Sequence, residues 1–249
     1  MHKELDFHII RDWQPGALLP AIKGRSIYYV LKRTVDILLS GSLLLLLSPL
    51  MLLVALAIYL YSPGPIFFIQ ERVGSRRIRI GSAYYWRWET FPFYKFRTMK
   101  VNVDCSLHKN YVQALIKNDQ QKMSEIQGED TKVRKLLNDP RITRPGRFLR
   151  RFSLDELPQL WNVLCGDMSM IGPRPALPYE VECYKPWHFR RLDAQPGITG
   201  LQQVTARCIA DFDEQVKLDV DYVTNQSIWL DIKIALKTPL AIVSGKGAR

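Results

Sequence analysis

LLSGSLLLLLSPLMLLVALAIYLY, Leu38 to Tyr61, is the stretch whose reading decides how this chain is built. With Ile37 it forms 25 consecutive residues without a charge. At about 1.5 Å per residue a straight helix of that length reaches roughly 37 Å, enough to cross a hydrocarbon core of about 30 Å. Ser48-Pro49 sits at its middle. Pro49 removes one backbone hydrogen bond and its ring crowds the carbonyl of Leu45, while the Ser48 hydroxyl can serve a freed group, so a kink or a full reversal is expected there. Two readings follow: a kinked helix that spans the bilayer, or a re-entrant hairpin whose two ends share one face. Cations flank both sides, Lys23, Arg25, Lys32 and Arg33 before and Arg72, Arg76, Arg77 and Arg79 after, so the positive-inside rule does not choose a spanning orientation.

Outward from this run the chain changes character. The 249 residues suffice for a real core without a disulfide or metal staple. Continuous hydrophobicity is confined to Val30–Tyr61, which fits a membrane-attached enzyme better than a carrier with many spans. A net charge of +11 and a pI near 9.6 call for a polyanionic partner. With an apolar anchor in the same chain, anionic lipid headgroups or a nucleotide-bearing substrate come first, and no nucleic acid is expected. Cys105, Cys165, Cys183 and Cys208 lie far apart and have no zinc-site spacing, which reads as reduced, cytosol-facing thiols. The apolar run begins too late and is too long for a cleavable signal peptide.

Residues 1–25 read as an irregular segment, interfacial or disordered. Ile80–Phe93 is rich in aromatic residues and turn signals and predicts short strands or a hairpin, with Tyr84, Tyr85, Trp86 and Trp88 suited to the headgroup level or, more plainly, to a half-buried hairpin. Val101–Asn138 predicts one or two polar helices. Leu157, Leu160, Trp161 and Leu164 mark an amphipathic helix ending near Gly166, and Tyr179–Leu192 predicts another whose aromatic and basic residues suit a membrane surface. Helices are also read in Ala210–Asn225 and, by its alternation of apolar residues with Lys233 and Lys237, the tail Ile228–Val243 is amphipathic.

The chemistry concentrates in SLDELPQLWNVLCGDMS, Ser153 to Ser169. Asp155 and Glu156 follow Arg141, Arg144, Arg147, Arg150 and Arg151, and IGPRP with Arg174 comes after them. Guanidinium forks match phosphate oxygens bidentately, so carboxylates among so many of them suggest phosphate chemistry. The plain alternative is a capping box, Ser153 with Glu156 three residues on. Pro158 weakens it, because a helix begun at Ser153 already needs a donor there. Asp155 at a helix N-terminus beside arginines should be held ionised, with an oxygen able to attack phosphorus. Two adjacent ionised carboxylates call for a cation, and Mg²⁺ held by one carboxylate and substrate phosphates meets the need, with Glu156 the better ligand and Asp155 the better nucleophile. The sequence contains no Gly-rich loop ending in Lys-Ser/Thr, no G-x-G-x-x-G after a strand and no H-E-x-x-H.

SPGPIFFIQERVG, YKFRTM, DPRITRPGRFLRRFSLDELPQLWNVLCGDMSMIGPRP and QPGITGLQQV, in that order from about Lys32 to the C-terminus, resemble the bacterial sugar transferase family, the monotopic phosphoglycosyl transferases. The resemblance implies transfer of a hexose-1-phosphate from a UDP-sugar to polyprenol phosphate, usually undecaprenyl phosphate, at the cytoplasmic face of the bacterial inner membrane, as the first membrane step of glycan or exopolysaccharide assembly. It implies a covalent phosphosugar on Asp155 with loss of UMP, Mg²⁺ on Glu156, phosphate binding by Arg150 and Arg174, and a basic motif, Lys95 and Arg97, near the site. It also implies a re-entrant helix broken at Ser48–Pro49.

Ala206, Arg207 and Cys208 depart from the family's usual G-R-N, Ile80–Phe93 is unusually aromatic, and Val101–Asn138 is longer than in the smallest members. The four N-terminal spans of larger members are missing from this sequence, which reads as the short catalytic form. The expected fold is therefore α+β: a mainly helical, membrane-associated catalytic domain with a small β-hairpin region. Its parts are an N-terminal segment (1–25), a re-entrant membrane helix (26–62) and a cytoplasmic catalytic domain with interfacial helices (63–249). A homodimer is compatible with it. The competing reading is a non-catalytic, basic, membrane-bound adaptor.

Overall fold

The computed structural model describes residues 16–20, 25–101, 106–127, 141–205 and 211–243. The apolar run is one helix, α1 (Ser26–Tyr61), with Pro49 inside it. The Ser48–Pro49 pair thus does not end the helix, contrary to the break expected there. Pro49 cannot donate to the Leu45 carbonyl, but the Ser48 hydroxyl donates to that same oxygen at 2.8 Å and satisfies the acceptor the proline leaves open. By length and composition α1 is the one helix among the described residues apolar enough to cross a membrane.

Both flanks of Pro49 dock on the same folded body, by different means. Before it, Lys32 pairs with Asp231 at 2.9 Å, Arg33 donates to the carbonyls of Val163 (2.6 Å) and Leu164 (2.8 Å), and Asp36 accepts from the Met170 N–H at 2.9 Å. After it, Val54 and Ile58 pack with Phe96, Leu149, Leu154 and Leu157. Between these anchors, from Gly41 to Leu53, no residue is buried.

After β1 (Leu18–Pro20) and α1, a long antiparallel hairpin follows, β2 (Phe67–Ile80) and β3 (Ala83–Phe96), in register from Phe67↔Phe96 to Ile80↔Ala83. A two-residue turn closes it, with Gly81 at φ 61°, the conformation such tight hairpins need. The strands are far longer than the short ones expected. The lead segment is not wholly irregular either, since β1 adds to the outer edge of β3. Trp86 and Trp88 are buried at 2% and 1% exposure, so they are core residues and not headgroup anchors. Parity explains this: Trp88 packs with Val73, Phe189 and Leu192 on one face, and Phe91 and Phe93 pack with Val163 and Met168 on the other. Both faces of the hairpin are covered.

The insertion supplies α2 (Ser106–Ile116) and α3 (Gln120–Gln127), helices as expected; its remainder lies outside the described residues. Next come α4 (Arg144–Arg151), a 3-10 turn (Leu154–Glu156), α5 (Gln159–Cys165), ended by Gly166 at φ 88°, and β4 (Ser169–Ile171). The helix expected over Tyr179–Leu192 is instead two pieces, α6 (Pro178–Val181) and a 3-10 segment from Pro186, because that proline interrupts helical donation. His188, Phe189 and Arg191 are buried there and face the core, not a membrane. The chain closes with β5 (Gly197–Thr199), parallel to β4, α7 (Leu201–Thr205), α8 (Phe212–Asn225) and α9 (Ile228–Val243). Trp229, Leu236 and Leu240 stand exposed on α9.

Candidate active site

Three backbone junctions assemble the site. The Y-K-F-R-T-M end of β3 is joined to the start of α4 by a Met99–Ile142 bridge and by donation from Thr143 N–H to the Thr98 carbonyl at 2.9 Å. Thr143 also caps α4, its hydroxyl accepting from Gly146 N–H at 3.0 Å. At the far end of α4, Ser153 takes a left-handed conformation, φ 55°, unusual for a residue with a Cβ and costly by about 1 kcal/mol or more. That turn delivers Asp155 and Glu156 beside β3. Finally, Val73 and Ala176 exchange hydrogen bonds, N to O 2.8 Å and 3.2 Å, which pins the G-P-R-P loop against β2 next to Arg72.

The capping-box alternative does not hold. Ser153 makes no side-chain cap, and Glu156 turns to Lys95, Oε1 to Nζ 2.8 Å. Asp155 is buried, at 6% exposure. The expectation of a depressed carboxyl is also reversed: burial pushes the Asp155 carboxyl above the usual range, with Glu156 adding to the rise, against the pull of Lys95 and Arg150. The helix end invoked for it is a single 3-10 turn, too short to supply a strong dipole. Arg150 is positioned by donation from Nε to the Thr98 hydroxyl at 2.9 Å.

Not every expected residue is brought here. Arg97 is buried and both its terminal nitrogens are used at the exit of α1, donating to the carbonyls of Pro63 (2.9 Å) and Ser62 (2.5 Å). Arg174 is exposed, and its charge acts on Arg72. Arg72 is the residue that sequence reasoning missed, counting it only as a flanking cation. It is buried, donates to the Pro175 carbonyl (3.1 Å) and to Gln70 Oε1 (3.1 Å), and lies over Phe93 at 5.1 Å, with Lys95 over the same ring at 5.4 Å. Burial and the Arg174 charge lower its pKa to about 10. Its place inside the quoted Q-E-R-V-G motif was the available signal. The departure at Ala206–Cys208 lies outside the described residues. Among those described, no three His, Cys, Asp or Glu side chains gather as a self-sufficient metal cage.

The site thus holds a buried carboxylate, a second carboxylate paired to lysine, and arginines carried by β2, α4 and the G-P-R-P loop. The model of the family described as bacterial sugar transferase matches residues 27–245, which takes in every one of these elements. The chain belongs to the bacterial sugar transferase family. It is 46% identical over 187 residues to a galactosyl transferase, CpsE, of Streptococcus agalactiae, covering 75% of this chain and 36% of that protein. It is 42% identical over 223 residues to undecaprenyl-phosphate galactose phosphotransferase of Salmonella typhimurium, covering 88% and 41%. It is 35% identical over 217 residues to the exopolysaccharide production protein ExoY of Rhizobium meliloti, covering 87% of each chain. The chain thus spans about two-fifths of the two longer relatives and most of the third.

Proposed function

We propose that this member of the family is a phosphoglycosyl transferase that moves a hexose-1-phosphate from a UDP-sugar to undecaprenyl or another polyprenol phosphate. The observation that carries this reading is the position of Asp155, buried beside the Lys95–Glu156 pair and reached by Arg150. A carboxylate oxygen of Asp155 attacks the phosphorus that bears the sugar. The bond to the UMP oxygen breaks, UMP departs, and an aspartyl phosphosugar remains. A phosphate oxygen of the polyprenol phosphate then attacks the same phosphorus, releasing the carboxylate and forming a polyprenyl diphosphate sugar. Arg150, Arg174 and Arg72 hold phosphate oxygens through both steps. Burial of Asp155 keeps water from competing for the acyl phosphate.

Mg²⁺ fits the donor set, since this ion is held by one or two carboxylates with substrate phosphates and water completing its shell. Glu156, at 36% side-chain exposure, would hold it, and the ion would supply charge neutralisation at the phosphates. Lys95 serves Glu156 as a counter-charge in the meantime.

The helix α1 enters and leaves the cytoplasmic side of the inner membrane. Support comes from its two flanks, which hold the same body, while no residue from Gly41 to Leu53 between them is fully buried. Cysteines placed at both flanks should react with an impermeant reagent from the cytoplasmic side only; labelling from opposite sides would sink the re-entrant reading.

The deciding experiment for the chemistry omits the lipid. The protein incubated with UDP-sugars and no acceptor should release one equivalent of UMP and gain the mass of a hexose phosphate on Asp155. No release and no adduct across a broad panel of sugars would refute the covalent route and favour the adaptor.

A further inference from the structure

A cleft of about 530 Å³ opens where α1 ends and α4 begins, outside the residues assigned above. Tyr61 forms one wall, and Lys100, Thr143, Arg144 and Arg147 form the other. Three cations therefore converge on it from two segments. Among the described residues no acidic side chain pairs with any of the three. Arg144, Arg147 and Lys100 are exposed, so neighbouring groups do not account for their grouping. The surroundings are apolar on both sides: Leu53, Leu56 and Leu60 of α1 are 65%, 52% and 73% exposed, and Phe148 and Phe152 of α4 are 58% and 47% exposed. On α4 the cations at 144, 147 and 151 follow helical spacing, next to the aromatic stripe at 148 and 152.

A concentrated cationic cleft at the end of a long exposed apolar ridge matches an amphiphile with a compact, doubly charged head. A phosphate monoester carries up to two charges and three terminal oxygens, enough to engage three cations. The phosphodiester of a bilayer lipid carries one charge under a bulky headgroup. Resting on the reading under Proposed function, we infer that this cleft seats the phosphate head of the polyprenol acceptor, with its chain along Leu60, Leu56 and Leu53. The placement suits a two-step reaction. The cleft lies at the first turn of α4 and the dyad follows the turn after its last residue. The acceptor can be held at the membrane surface while the nucleotide sugar occupies the dyad.

The test uses the full chain in nanodiscs with a long-chain polyprenol phosphate and single Lys100→Gln, Arg144→Gln and Arg147→Gln variants, together with the triple variant. Each single change should raise the acceptor KM roughly fivefold, and the triple on the order of a hundredfold, as expected for lost charge-assisted hydrogen bonds in a partly solvated site. UMP release without acceptor should keep its rate and donor KM, and the melting temperature should hold, showing that the fold survives. An unchanged acceptor KM overturns the inference. So does a fall in acceptor-free UMP release that matches the fall in turnover, since the cations would then serve the nucleotide. Repeating the series in purely zwitterionic nanodiscs separates the lipid sources: a deficit that vanishes there assigns the cleft to anionic bilayer lipid and overturns the acceptor site. If the unaltered protein releases no UMP, the failure belongs to the proposed reaction and not to this cleft.

Discussion

Two clusters that bring acids and bases together, Arg191 with Asp219 and Lys95 with Glu156, are built differently. In the first, Arg191 Nη2 meets Asp219 at 2.5 Å and Arg191 Nη1 donates to the Tyr184 hydroxyl at 2.9 Å, with both charged groups buried. In the second, Lys95 and Glu156 pair at 2.8 Å but keep 24% and 36% side-chain exposure, and among the described residues no cation pairs with Asp155 beside them within ion-pair distance. The closed cluster fixes structure: Arg191 also reaches the Arg174 carbonyl at 3.4 Å and so steadies the loop that carries Arg174. The open cluster keeps Lys95 and Glu156 partly in contact with solvent, within reach of a ligand. Both contain acids and arginines, so residue type alone does not separate them. Access does.

The sharpest separation is expected at Asp155. Asp155→Asn should lower turnover by at least roughly a thousandfold and abolish the phosphosugar adduct, because the nucleophile is gone. Its stability should hold or rise, since burial penalises the charge that asparagine lacks. UMP release, intact mass and a thermal melt on one preparation read all three. Retained turnover would move the chemistry elsewhere.

The closed cluster should respond in the opposite sense. Asp219→Ala leaves Arg191 charged and buried without its partner, which should cost about 3–5 kcal/mol of stability. Replacing both, Arg191→Met with Asp219→Leu, should recover most of that loss. Denaturation of the two variants settles whether the pair is structural. If Asp219→Ala melts with the unaltered protein while losing activity, the contrast between the clusters collapses.

The open cluster was legible in the sequence because its parts are local: Asp155 and Glu156 are adjacent, and Arg150 is five residues upstream. The apolar run within α1, the spacing of apolar residues in α5 and the stretch that forms α8 were legible as well. Long-range pairing was not. The length of the β2–β3 hairpin, the third strand at Leu18–Pro20 and the buried faces of Trp86 and Trp88 depend on which residues meet across the sheet. Aromatic residues near a membrane segment look alike whether they face lipid or a core, and only the covering of both hairpin faces decides. Arg97 illustrates the same limit: its motif places it near the site, while its guanidinium is committed to the end of α1.

A buried carboxylate outside both clusters calibrates the cost of an unsaturated charge. Burial lifts Asp193 to about 7 from 3.8, with Arg190 only partly opposing, and its Oδ1 has no hydrogen-bond partner. A folded-state value above the unfolded one means stability is fully present below about pH 4 and is lost as pH rises through about 7. At about 1.4 kcal/mol per unit, discounted for partial solvent contact, Asp193→Asn should be more stable than the unaltered protein by about 2 kcal/mol at pH 8. The two should converge near pH 4. A pH-independent difference would show that Asp193 is ionised in the fold throughout.

Arg72 joins the two kinds of cluster and gives the finest test of the contrast. Like Arg191 it is buried and bonded, to Pro175 and Gln70, yet among the described residues no acid pairs with it at ion-pair distance. Arg72 Nε is buried without a hydrogen-bond partner, which leaves one donor that an anion can use. Arg72→Lys keeps the charge but cannot span both of its present partners or present a bidentate fork. The expected result is a donor KM roughly tenfold higher, the scale of one charge-assisted hydrogen bond. A melting temperature that drops while the donor KM stays put would place Arg72 with Arg191, as a peg for the G-P-R-P loop and no more. The split between donor KM and stability therefore decides whether a buried arginine beside a reactive dyad belongs to the chemistry or to the frame.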